Sequence, residues 1–482
     1  MAAFINIVNT NLSLFFCLSA AAASFSACSG SGSGKMDNPF GDPTGTPAVE
    51  ATFTSNADSV FLSWKLVDDV DFDSYAISDQ YRKNSIRLGK DATECVLTHI
   101  PYNERVNVSI SLVSGADTVN VTAVPVQIDG LDTSIASKII PDKGSVVEGD
   151  GMYSIYLGDG RSIFLMGDSY IGEVSGGRRI SGDHMYRNTY SVYDHEKQTS
   201  YALAEVNGPN TSAAVPAGVT DEGSRWYWPG HGFAVGNNLY IFQQVMFSGD
   251  GPAGWNFYYD ETHILQYSLP DLPLKPVRDV AIPFKDNPPL TPSPETPLIH
   301  FGAAALNDLD GTGFLYIYAQ TDIENDIDPV TEVYVARTTE TGLFSSWEYW
   351  NGSSWSPDQN SVAALSGLSS VPVSSQFNVF KLEDKYVLIA QNKTWNSGEI
   401  YTFTSDNPWG PWGHKTLIYK IPGLASPNWY SYNAMAHPQF EKDGMILISY
   451  NVNTNEFAEQ KTNVESYRPR FFWVEKDMIL NR

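Results

Sequence analysis

The sequence predicts an all-β protein in which an N-terminal β-sandwich is followed by a five-bladed β-propeller. Composition is the first indication: of the 482 residues, 13% are aromatic, 38 are glycine and 28 are proline, whereas only 18% are charged. Such a balance is typical of turn-rich β domains. The second indication is a series of short alternating segments in residues 47–128. The third is a strand pattern that recurs five times in residues 135–482.

The N-terminal residues resemble an export signal. Residues 12–23 are apolar and too short to span a bilayer, as in the core of a signal peptide. The motif FSAC that follows Ser24 resembles a bacterial lipoprotein cleavage box, so we expect a signal peptide over residues 1–27 and a lipid on Cys28. No Lys or Arg precedes Lys35, which departs from the basic start of most signal peptides and keeps plain secretion as an alternative.

Residues 28–46, which include the motif SGSGSGK, predict a flexible tether between the anchor and the folded domains. We therefore expect an exported bacterial lipoprotein at the outer membrane, at the cell surface or in the periplasm. The formal net charge is −25. So acidic a protein repels nucleic acid and anionic membrane surfaces, and neither is an expected partner of the protein surface.

Residues 47–128 contain seven short segments of alternating polar and apolar residues, which predict a β-sandwich. Trp64 ends one of these segments, SVFLSW, and is expected to fill the core. The order of the segments is similar to that of fibronectin type III domains, although Arg105 stands where those domains usually carry a tyrosine. We find no catalytic cluster in this part of the sequence and expect it to act as a spacer.

The rest of the chain repeats one strand pattern. Each repeat has a β-rich run that is preceded and followed by a shorter strand-like run, so each unit predicts at least three antiparallel strands. A radial array of five such sheets is a β-propeller, whereas a two-sheet sandwich fits five similar units poorly. The runs are SIFLMGDSYI (162–171), NNLYIFQQVM (237–246), GFLYIYAQTD (313–322), DKYVLIAQNK (384–393) and GMILISYNVN (444–453).

Aligning the five runs gives a column of hydrogen-bonding side chains, one carboxylate and four amides. At one register of otherwise apolar strands, these side chains would grip sugar hydroxyls near a mouth of the propeller. The alternative is that they satisfy backbone groups where the strands leave the sheets. The column consists of Asp168, Gln244, Gln320, Gln391 and Asn451.

A second column comes from the starts of the first strands in each unit. First strands crowd the propeller axis, so these side chains are expected to point into the central cavity. Three of the five are histidines, which would surround a ligand such as a water molecule or a metal ion. The column consists of Asp150, His231, His300, Gln376 and His437.

The first unit brings two acidic side chains together. Residues 148–172 predict two strands joined by a Gly-Asp-Gly turn at 158–160. Asp150 precedes the first strand and Asp168 lies late in the second, whereas Asp159 is explained by the turn alone. Two carboxylates on one hairpin suit general acid and base chemistry on a sugar.

Several motifs in residues 140–482 resemble those of five-bladed propeller glycosidases. The motifs are GDG (149–151), IFLMGDSYIG (163–172), WYWPGHG (226–232), YNAMAHPQF (432–440) and YRPRFFWV (467–474). The nearest likeness is to the bacterial domains, first catalogued as being of unknown function, that include endo-D-arabinanases. Arabinanases, levansucrases and invertases are more distantly similar.

The resemblance implies roles for four residues. Asp150 occupies the position of a nucleophile or general base, and Asp168 matches an acid of the family. Arg179 and Asn188 match a polar pair that follows this acid, and they are expected to bind substrate.

The general acid is not fixed by the resemblance. His231 and Gln376 stand where acidic side chains would be expected. The remaining candidates are Asp168, Asp183 and Glu222, and Asp183 lies in a loop that should cross the mouth of the propeller.

Two tryptophans and one acidic segment complete the candidate site. Trp226 and Trp228 could stack on sugar faces, while core packing explains one of them equally well. The acidic run at 321–329 is interpreted as a solvated loop rather than a calcium site. The expected chemistry requires no cofactor, and a structural divalent cation such as calcium is compatible with the sequence.

These features favour a glycoside hydrolase that cleaves a furanose-containing polysaccharide with a pair of carboxylates, with endo-D-arabinanase as the first hypothesis. A polysaccharide or oligosaccharide is therefore the expected partner. The alternative is a glycan-binding propeller without catalysis, which the histidine and glutamine in place of acids would explain. A structure in which the two aspartates face away from any cavity would contradict the enzyme hypothesis.

Overall fold

The computed structural model describes residues 48–482 except 56–59, 80–83, 99, 101–105, 127–129, 206, 251–255, 272–274, 286–297, 324–329, 395–396 and 422–423. The predicted signal peptide (1–27), the lipidation site Cys28, the whole tether (28–46) and Arg105 lie outside the described residues, as does most of the acidic run. Within the described part, no helix is long and apolar enough to cross a membrane. Strands dominate, which confirms the all-β prediction.

The N-terminal module consists of two antiparallel sheets, a three-stranded sheet in the order β1-β2-β5 and a four-stranded sheet in the order β4-β3-β6-β7. Alternate residues of β2 are buried, as a strand with one face on a core requires. Trp64 is among them and packs edge-on against Tyr75, with 5.2 Å between ring centroids. The fibronectin type III likeness stays a prediction. The strands are β1 (Val49–Ser55), β2 (Val60–Leu66), β3 (Ser74–Ser78), β4 (Ile86–Gly89), β5 (Glu94–Leu97), β6 (Val106–Ser114) and β7 (Asp117–Val126).

A short helix, α1 (Thr133–Ile139), connects the sandwich to the second domain. The carboxylate of Asp132 caps it by accepting hydrogen bonds from the backbone of Ser134 and Ile135, because the first N–H groups of a helix have no partner within it. The remaining chain folds into five antiparallel sheets that follow one another along the sequence, and these are the predicted blades.

The first blade is the largest, because its second strand continues beyond the ring and pairs with two extra short strands. Its strands are β8 (Lys143–Tyr156), β9 (Arg161–Ser175), β10 (Arg178–Ser181), β11 (Met185–Tyr186), β12 (Thr189–Asp194) and β13 (Thr199–Ala202). The second blade contains β14 (Arg225–Val235), β15 (Asn238–Ser248), β16 (Phe257–Ser268) and β17 (Arg278–Ala281).

The third and fourth blades are simple meanders, in which each strand pairs with the next one in sequence. The third contains β18 (His300–Asp308), β19 (Phe314–Ile323), β20 (Val330–Thr338), β21 (Glu348–Trp350) and β22 (Trp355–Ser356), followed by a 3-10 turn (Gln359–Ser361). The fourth contains β23 (Asn378–Leu382), β24 (Lys385–Gln391), β25 (Glu399–Ser405) and β26 (Gly413–Lys420).

The fifth blade has three named strands, and the start of the propeller domain extends it. Leu131 bridges to Phe472, and the backbone N–H of Asp132 donates to the carbonyl of Phe471. The two ends of the domain are thereby joined in one sheet. Its elements are β27 (Trp429–Lys442), β28 (Met445–Thr454), α2 (Phe457–Thr462), a 3-10 turn (Val464–Tyr467), β29 (Arg470–Glu475) and α3 (Lys476–Leu480).

The five first strands close a ring: β8 contacts β14, β14 contacts β18, β18 contacts β23, β23 contacts β27, and β27 contacts β8. The five predicted runs are the second strands of the blades. All ten residues of β28 are buried, since the neighbouring blades cover both of its faces, which is why these runs read as nearly continuous apolar segments. The five-bladed propeller prediction is confirmed.

The apolar core is divided among the blade interfaces. Separate clusters of buried side chains lie between blades one and two, two and three, three and four, and five and one. The cluster between blades four and five continues into the core of the sandwich. Each blade is therefore held mainly by its two neighbours.

Candidate active site

A cavity of about 760 Å3 lies at one face of the propeller. Its lining comes from the beginnings of first strands and the ends of second strands, which lie at the same end of each antiparallel pair. Blades one, two, four and five contribute. This volume is within the range of about 300–1,000 Å3 that is usual for ligand sites.

The backbone of the first blade places Asp150 beside Asp168. In the β8–β9 pair Gly149 is opposite Ser169 and Gly151 is opposite Met166, with a bulge between, so Asp150 lies across from Gly167 and Asp168. Gly151 has a φ of +99°, and a Cβ there would lie 2.9 Å from the backbone nitrogen of Gly167. Glycine is therefore needed for the two strands to approach so closely.

Asp150 lines the cavity and is half-buried. The O–H of Tyr432 donates to its Oδ2 over 2.6 Å. Burial and the charge of Asp168 together raise the pKa of Asp150 to about 7, while the hydroxyls of Tyr432 and Tyr467 oppose the shift. The surroundings thus favour the protonated form of this group.

Asp168 also lines the cavity but has two partners that favour its charged form. The indole N–H of Trp228 donates to Oδ1 over 3.0 Å, and the guanidinium of Arg187 lies 3.4 Å from Oδ2. Burial raises the pKa of Asp168, and Arg187 and Trp228 counteract that rise. The charge of Asp168 in turn raises the pKa of Asp150.

The resemblance implies Asp150 as the base and Asp168 as an acid, whereas the groups around the two side chains favour the charged form more at Asp168 than at Asp150. Asp168 has a cation beside it, whereas Asp150 has hydroxyls and a neighbouring carboxylate. Asp150 is therefore the candidate for the proton donor of the pair.

No other carboxylate lines the cavity among the residues that the structure describes. Asp183 is exposed and forms an ion pair of 2.8 Å with Lys461 of α2. Glu222 accepts a hydrogen bond from the backbone of Ser212 over 3.1 Å. The structure thus places both remaining candidates for the general acid outside the cavity lining.

Arg179 and Asn188, expected to bind substrate, are placed in the protein interior. The Nε of Arg179 lies 2.7 Å from Glu148, both side chains are almost fully buried, and the guanidinium stacks on the ring of Tyr170. Burial raises the pKa of Glu148 to about 7 against the opposing charge of Arg179. The side-chain amide of Asn188 is hydrogen-bonded to backbone groups of Ala214 and Tyr227. Neither lines the cavity.

Both tryptophans of the WYWPGHG motif line the cavity. Trp226 is 2% exposed and packs edge-on against Trp228, with 5.7 Å between centroids. The guanidinium of Arg187 lies 4.3 Å from the ring centre of Trp226. Trp226 therefore supports Arg187, and Trp228 is the better placed of the two to meet a sugar.

The column from the second strands is only partly assembled at the cavity. Asp168 and Gln391 line it, and Gln391 donates to Ser431 over 3.0 Å. The other three members, Gln244, Gln320 and Asn451, do not line it. Bulges shift the register in four of the five pairs of first and second strands. Residues at equivalent positions of the five aligned runs therefore lie at different depths relative to the cavity.

The column from the first strands is divided as well. Asp150 and Gln376 line the cavity, and Gln376 accepts a hydrogen bond from Asn433 over 3.2 Å. The three histidines lie outside the lining. His300 stacks on Tyr259 with 4.0 Å between centroids, while the other two are described below.

His231 and His437 join strands near the ring axis. Nδ1 of His231 accepts from the backbone of Ala305, so its Nε2 donates to the carbonyl of Ser154. The ring of His437 bonds the hydroxyls of Ser154 and Ser449. Burial lowers the pKa of His231 to about 4 and that of His437 to about 3. Their nitrogens are thus used within the protein.

Metal binding was a further expectation for this face. Among the described residues, no group of three or more His, Cys, Asp or Glu side chains is placed to hold a metal ion. Residues 324–329 of the acidic run lie outside the described part.

Comparison with known proteins gives a family for this chain. Residues 142–476 match the model of the Domain of unknown function (DUF5005). The chain belongs to this family. No curated protein matches the sequence. The more specific likeness to endo-D-arabinanases stays a prediction.

Solved structures show what this DUF5005 domain resembles. A candidate hydrolase from Bacteroides ovatus is 21% identical and has a TM-score of 0.55, with 71% of this chain and 88% of that chain covered. At this identity the similarity shows the fold alone. A GH43_1 enzyme from Xanthomonas citri (12% identity, 71% and 92% covered, TM-score 0.38) and a GH32 β-fructofuranosidase from Bombyx mori (12%, 69% and 60%, TM-score 0.35) are more remote, and nothing is inferred from them.

Four residues of the DUF5005 site were missed at the sequence level. Arg187 directly precedes Asn188, so the sequence analysis identified the correct segment of the site but assigned the function to the neighbouring side chain. Tyr467 lies within YRPRFFWV and donates to the backbone carbonyl of Asp168 over 2.7 Å. Tyr432 and Asn453 belong to the fifth blade and reach Asp150 only through closure of the ring. The one feature of the sequence that could have identified these residues is the clustering of tyrosines near a strand end.

Proposed function

We propose that this protein is a glycoside hydrolase that acts on a furanose-containing polysaccharide, with D-arabinan as its first candidate substrate and internal bonds as the sites of cleavage. One observation carries the proposal: two neighbouring carboxylates, Asp150 and Asp168, line a cavity of suitable size. Glycoside hydrolysis needs a proton donor and an ionised carboxylate at the scissile bond. The candidate hydrolase from Bacteroides ovatus has the same fold.

The surroundings of the pair assign the roles. Asp150 donates its proton to the glycosidic oxygen as the C–O bond breaks, and the negative charge of Asp168 stabilises the oxocarbenium-like sugar. Arg187 and Trp228 keep Asp168 ionised. Water then adds to the anomeric carbon, and its released proton returns to the aspartate pair, so the protein ends each cycle unchanged.

The rest of the lining is suited to sugar recognition. Trp228 and Phe257 offer aromatic faces, with 4.7 Å between their ring centroids. Gln376, Asn433 and Tyr430 contribute amide and hydroxyl groups on the opposite blades. Carbohydrates present both apolar faces and many hydroxyls, so this mixture is appropriate to them.

Hydrolysis tests the proposal directly. Wild-type protein is incubated with a panel of D-arabinan, L-arabinan and fructans, and reducing-sugar release is measured. We expect release from a furanose polymer, and a loss of at least about a hundredfold in Asp150→Asn and in Asp168→Asn. Asp183→Asn is the matched control and should retain release, because Asp183 lies outside the cavity. Unchanged release in the two aspartate variants would overturn the assignment.

A glycan-binding propeller without catalysis is the second candidate. The observation that favours it is Gln376, an amide that lines the cavity at a position where an acid was expected. Binding of arabinan by wild-type protein without release of reducing sugar, on a panel that covers the furanose linkages, would support this candidate over the hydrolase.

Anchoring by lipid is also proposed, on the basis of the FSAC motif alone. In cells that express the full chain, replacing Cys28 by Ala is expected to move the protein from the membrane fraction to the soluble fraction. Equal membrane association of both forms would contradict a lipid on Cys28.

A further inference from the structure

The hydroxyl of Tyr432 has two hydrogen-bond partners. It lies 2.6 Å from Oδ2 of Asp150, and it accepts a bond of 3.2 Å from Nδ2 of Asn453. Asn453 is itself 9% exposed and lines the same cavity. A tyrosine hydroxyl has a single hydrogen, so its direction depends on what Asn453 offers.

The amide orientation of Asn453 is fixed by chemistry. Its Oδ1 faces the backbone nitrogen of Thr454 at 2.7 Å, and a backbone N–H can only donate. The same Oδ1 accepts from Nε2 of Gln460 over 3.1 Å. Nδ2 of Asn453 must then be the group that faces Tyr432. Gln460 is 5% exposed and belongs to α2, and its Oε1 accepts from Tyr170 over 3.4 Å.

This arrangement leaves the hydrogen of Tyr432 for Asp150. Since Oδ2 already accepts the hydrogen of Tyr432, a proton held by Asp150 is favoured on the other oxygen, Oδ1. Oδ1 lies directly above Gly167, a residue that lines the cavity. The network therefore distinguishes two otherwise equivalent oxygens of one carboxyl group.

We propose that Tyr432, held by Asn453 and Gln460, is a positioning residue that reserves Oδ2 of Asp150 as an acceptor and places the transferable proton on Oδ1. Its consequence for catalysis rests on the proposed function, whereas the hydrogen-bond arrangement does not. Helix α2 thereby influences the orientation of Tyr432, because Gln460 of this helix donates a hydrogen bond to Asn453, and Asn453 in turn donates to the hydroxyl of Tyr432.

The groups that face Asp150 come from every neighbouring element. They are Asp168 on β9, Tyr430 and Tyr432 on β27, and Tyr467 in the last 3-10 turn. Among them, Tyr432 supplies the donor to Oδ2. A hydrogen bond to the charged form of an acid lowers its pKa, so removal of this hydroxyl should raise the pKa of Asp150.

The first test does not depend on enzyme activity. The carboxyl infrared band of Asp150, identified in the full chain by its loss in Asp150→Asn, is titrated in wild type and in Tyr432→Phe. We expect its midpoint to rise by about one pH unit, a tenfold change in the ionisation constant. Tyr430→Phe is the matched control, since its ring lies 5.6 Å from that of Tyr432 on the same strand. No shift in Tyr432→Phe, or an equal shift in Tyr430→Phe, would overturn the proposal.

The second test uses hydrolysis. Tyr432→Phe should lower kcat by roughly tenfold to a hundredfold through loss of orientation, and should move the basic limb of the kcat–pH profile upward with Asp150. Asn453→Leu keeps the hydroxyl of Tyr432 but removes the hydrogen bond that orients it. This variant should move the basic limb upward by less than Tyr432→Phe does. A fall in kcat without movement of the limb would contradict the positioning role. Absence of hydrolysis in wild type would refute the proposed function, and the infrared titration would still decide the role of Tyr432.

Discussion

The indole N–H of Trp228 donates a hydrogen bond of 3.0 Å to Oδ1 of Asp168. Trp228 begins the second blade and Asp168 lies in the first, so the bond spans a blade interface. It makes the charge of a candidate catalytic group depend on the correct docking of two sheets.

Replacing Trp228 by Phe should therefore raise the pKa of Asp168, because a donor to its charged form is lost. We expect the acid limb of the kcat/KM–pH profile to move upward by about one unit. The measurement is hydrolysis of the best furanose polymer over pH 4–9. Trp226→Phe is the control, since the indole nitrogen of Trp226 has no hydrogen-bond partner among the described residues. A limb that moves equally in both variants would contradict this role of Trp228.

Gly167→Ala tests the packing of the acid pair. A Cβ at Gly167 would lie 2.5 Å from Oδ1 of Asp150, so the carboxyl group must move. We expect kcat to fall by roughly a hundredfold, as for other small misplacements of a catalytic group. Gly413→Ala is a matched control, because a Cβ there meets open space. Thermal unfolding of both variants separates lost activity from lost folding, and full activity in Gly167→Ala would refute the placement.

Arg179→Met should destabilise the propeller by about 3–5 kcal/mol, since it leaves the buried Glu148 without its cation. Urea unfolding measures the change. The double variant Glu148→Gln with Arg179→Met should recover part of the loss, because the unpaired acid is gone. Lys461→Met breaks the exposed pair with Asp183 and should hardly alter the unfolding midpoint. Equal effects of Arg179→Met and Lys461→Met would contradict the buried pair.

The two axial histidines predict a loss of stability in acid. His231 and His437 have pKa values lowered to about 4 and about 3, against about 6.5 in the unfolded chain. Below pH 6.5 the unfolded chain therefore binds protons that the folded chain does not, and stability present above that pH is lost as the pH falls towards 4 and 3.

Glu148 and Asp150 act in the opposite direction, because their pKa values are raised to about 7 and the folded state holds their protons longer. The contribution of His437 is isolated by comparing wild type with His437→Gln. Thermal midpoints measured from pH 7 to pH 4 should fall less steeply in the variant. Parallel curves would show that His437 does not titrate as described.

The architecture could be predicted because it repeats. Each second strand is covered on both faces, so its apolar run is long and recognisable five times. The hairpin with Asp150 and Asp168 was equally accessible, since both acids belong to neighbouring strands joined by a short turn. Local sequence was sufficient for these features.

The rest of the site could not be predicted, because it depends on the closure of the ring. Tyr432 is 282 residues from Asp150 in sequence, and Arg187 reaches Asp168 from the short connection between β11 and β12. Alignment by sequence placed Gln244, Gln320 and Asn451 with Asp168, but bulges put them at other depths. The histidines came from the column of the first strands: His231 and His437 bond to serine, and His300 stacks on Tyr259.

Closure of the propeller joins Asp132 to β29, and Trp473 also donates to the carboxylate of Asp132 from 341 residues away. A polypeptide truncated before β29 would leave β28 unpaired at its outer edge and would deprive Asp132 of both of these contacts. Ring closure therefore ties the start of the propeller domain to the synthesis of β29.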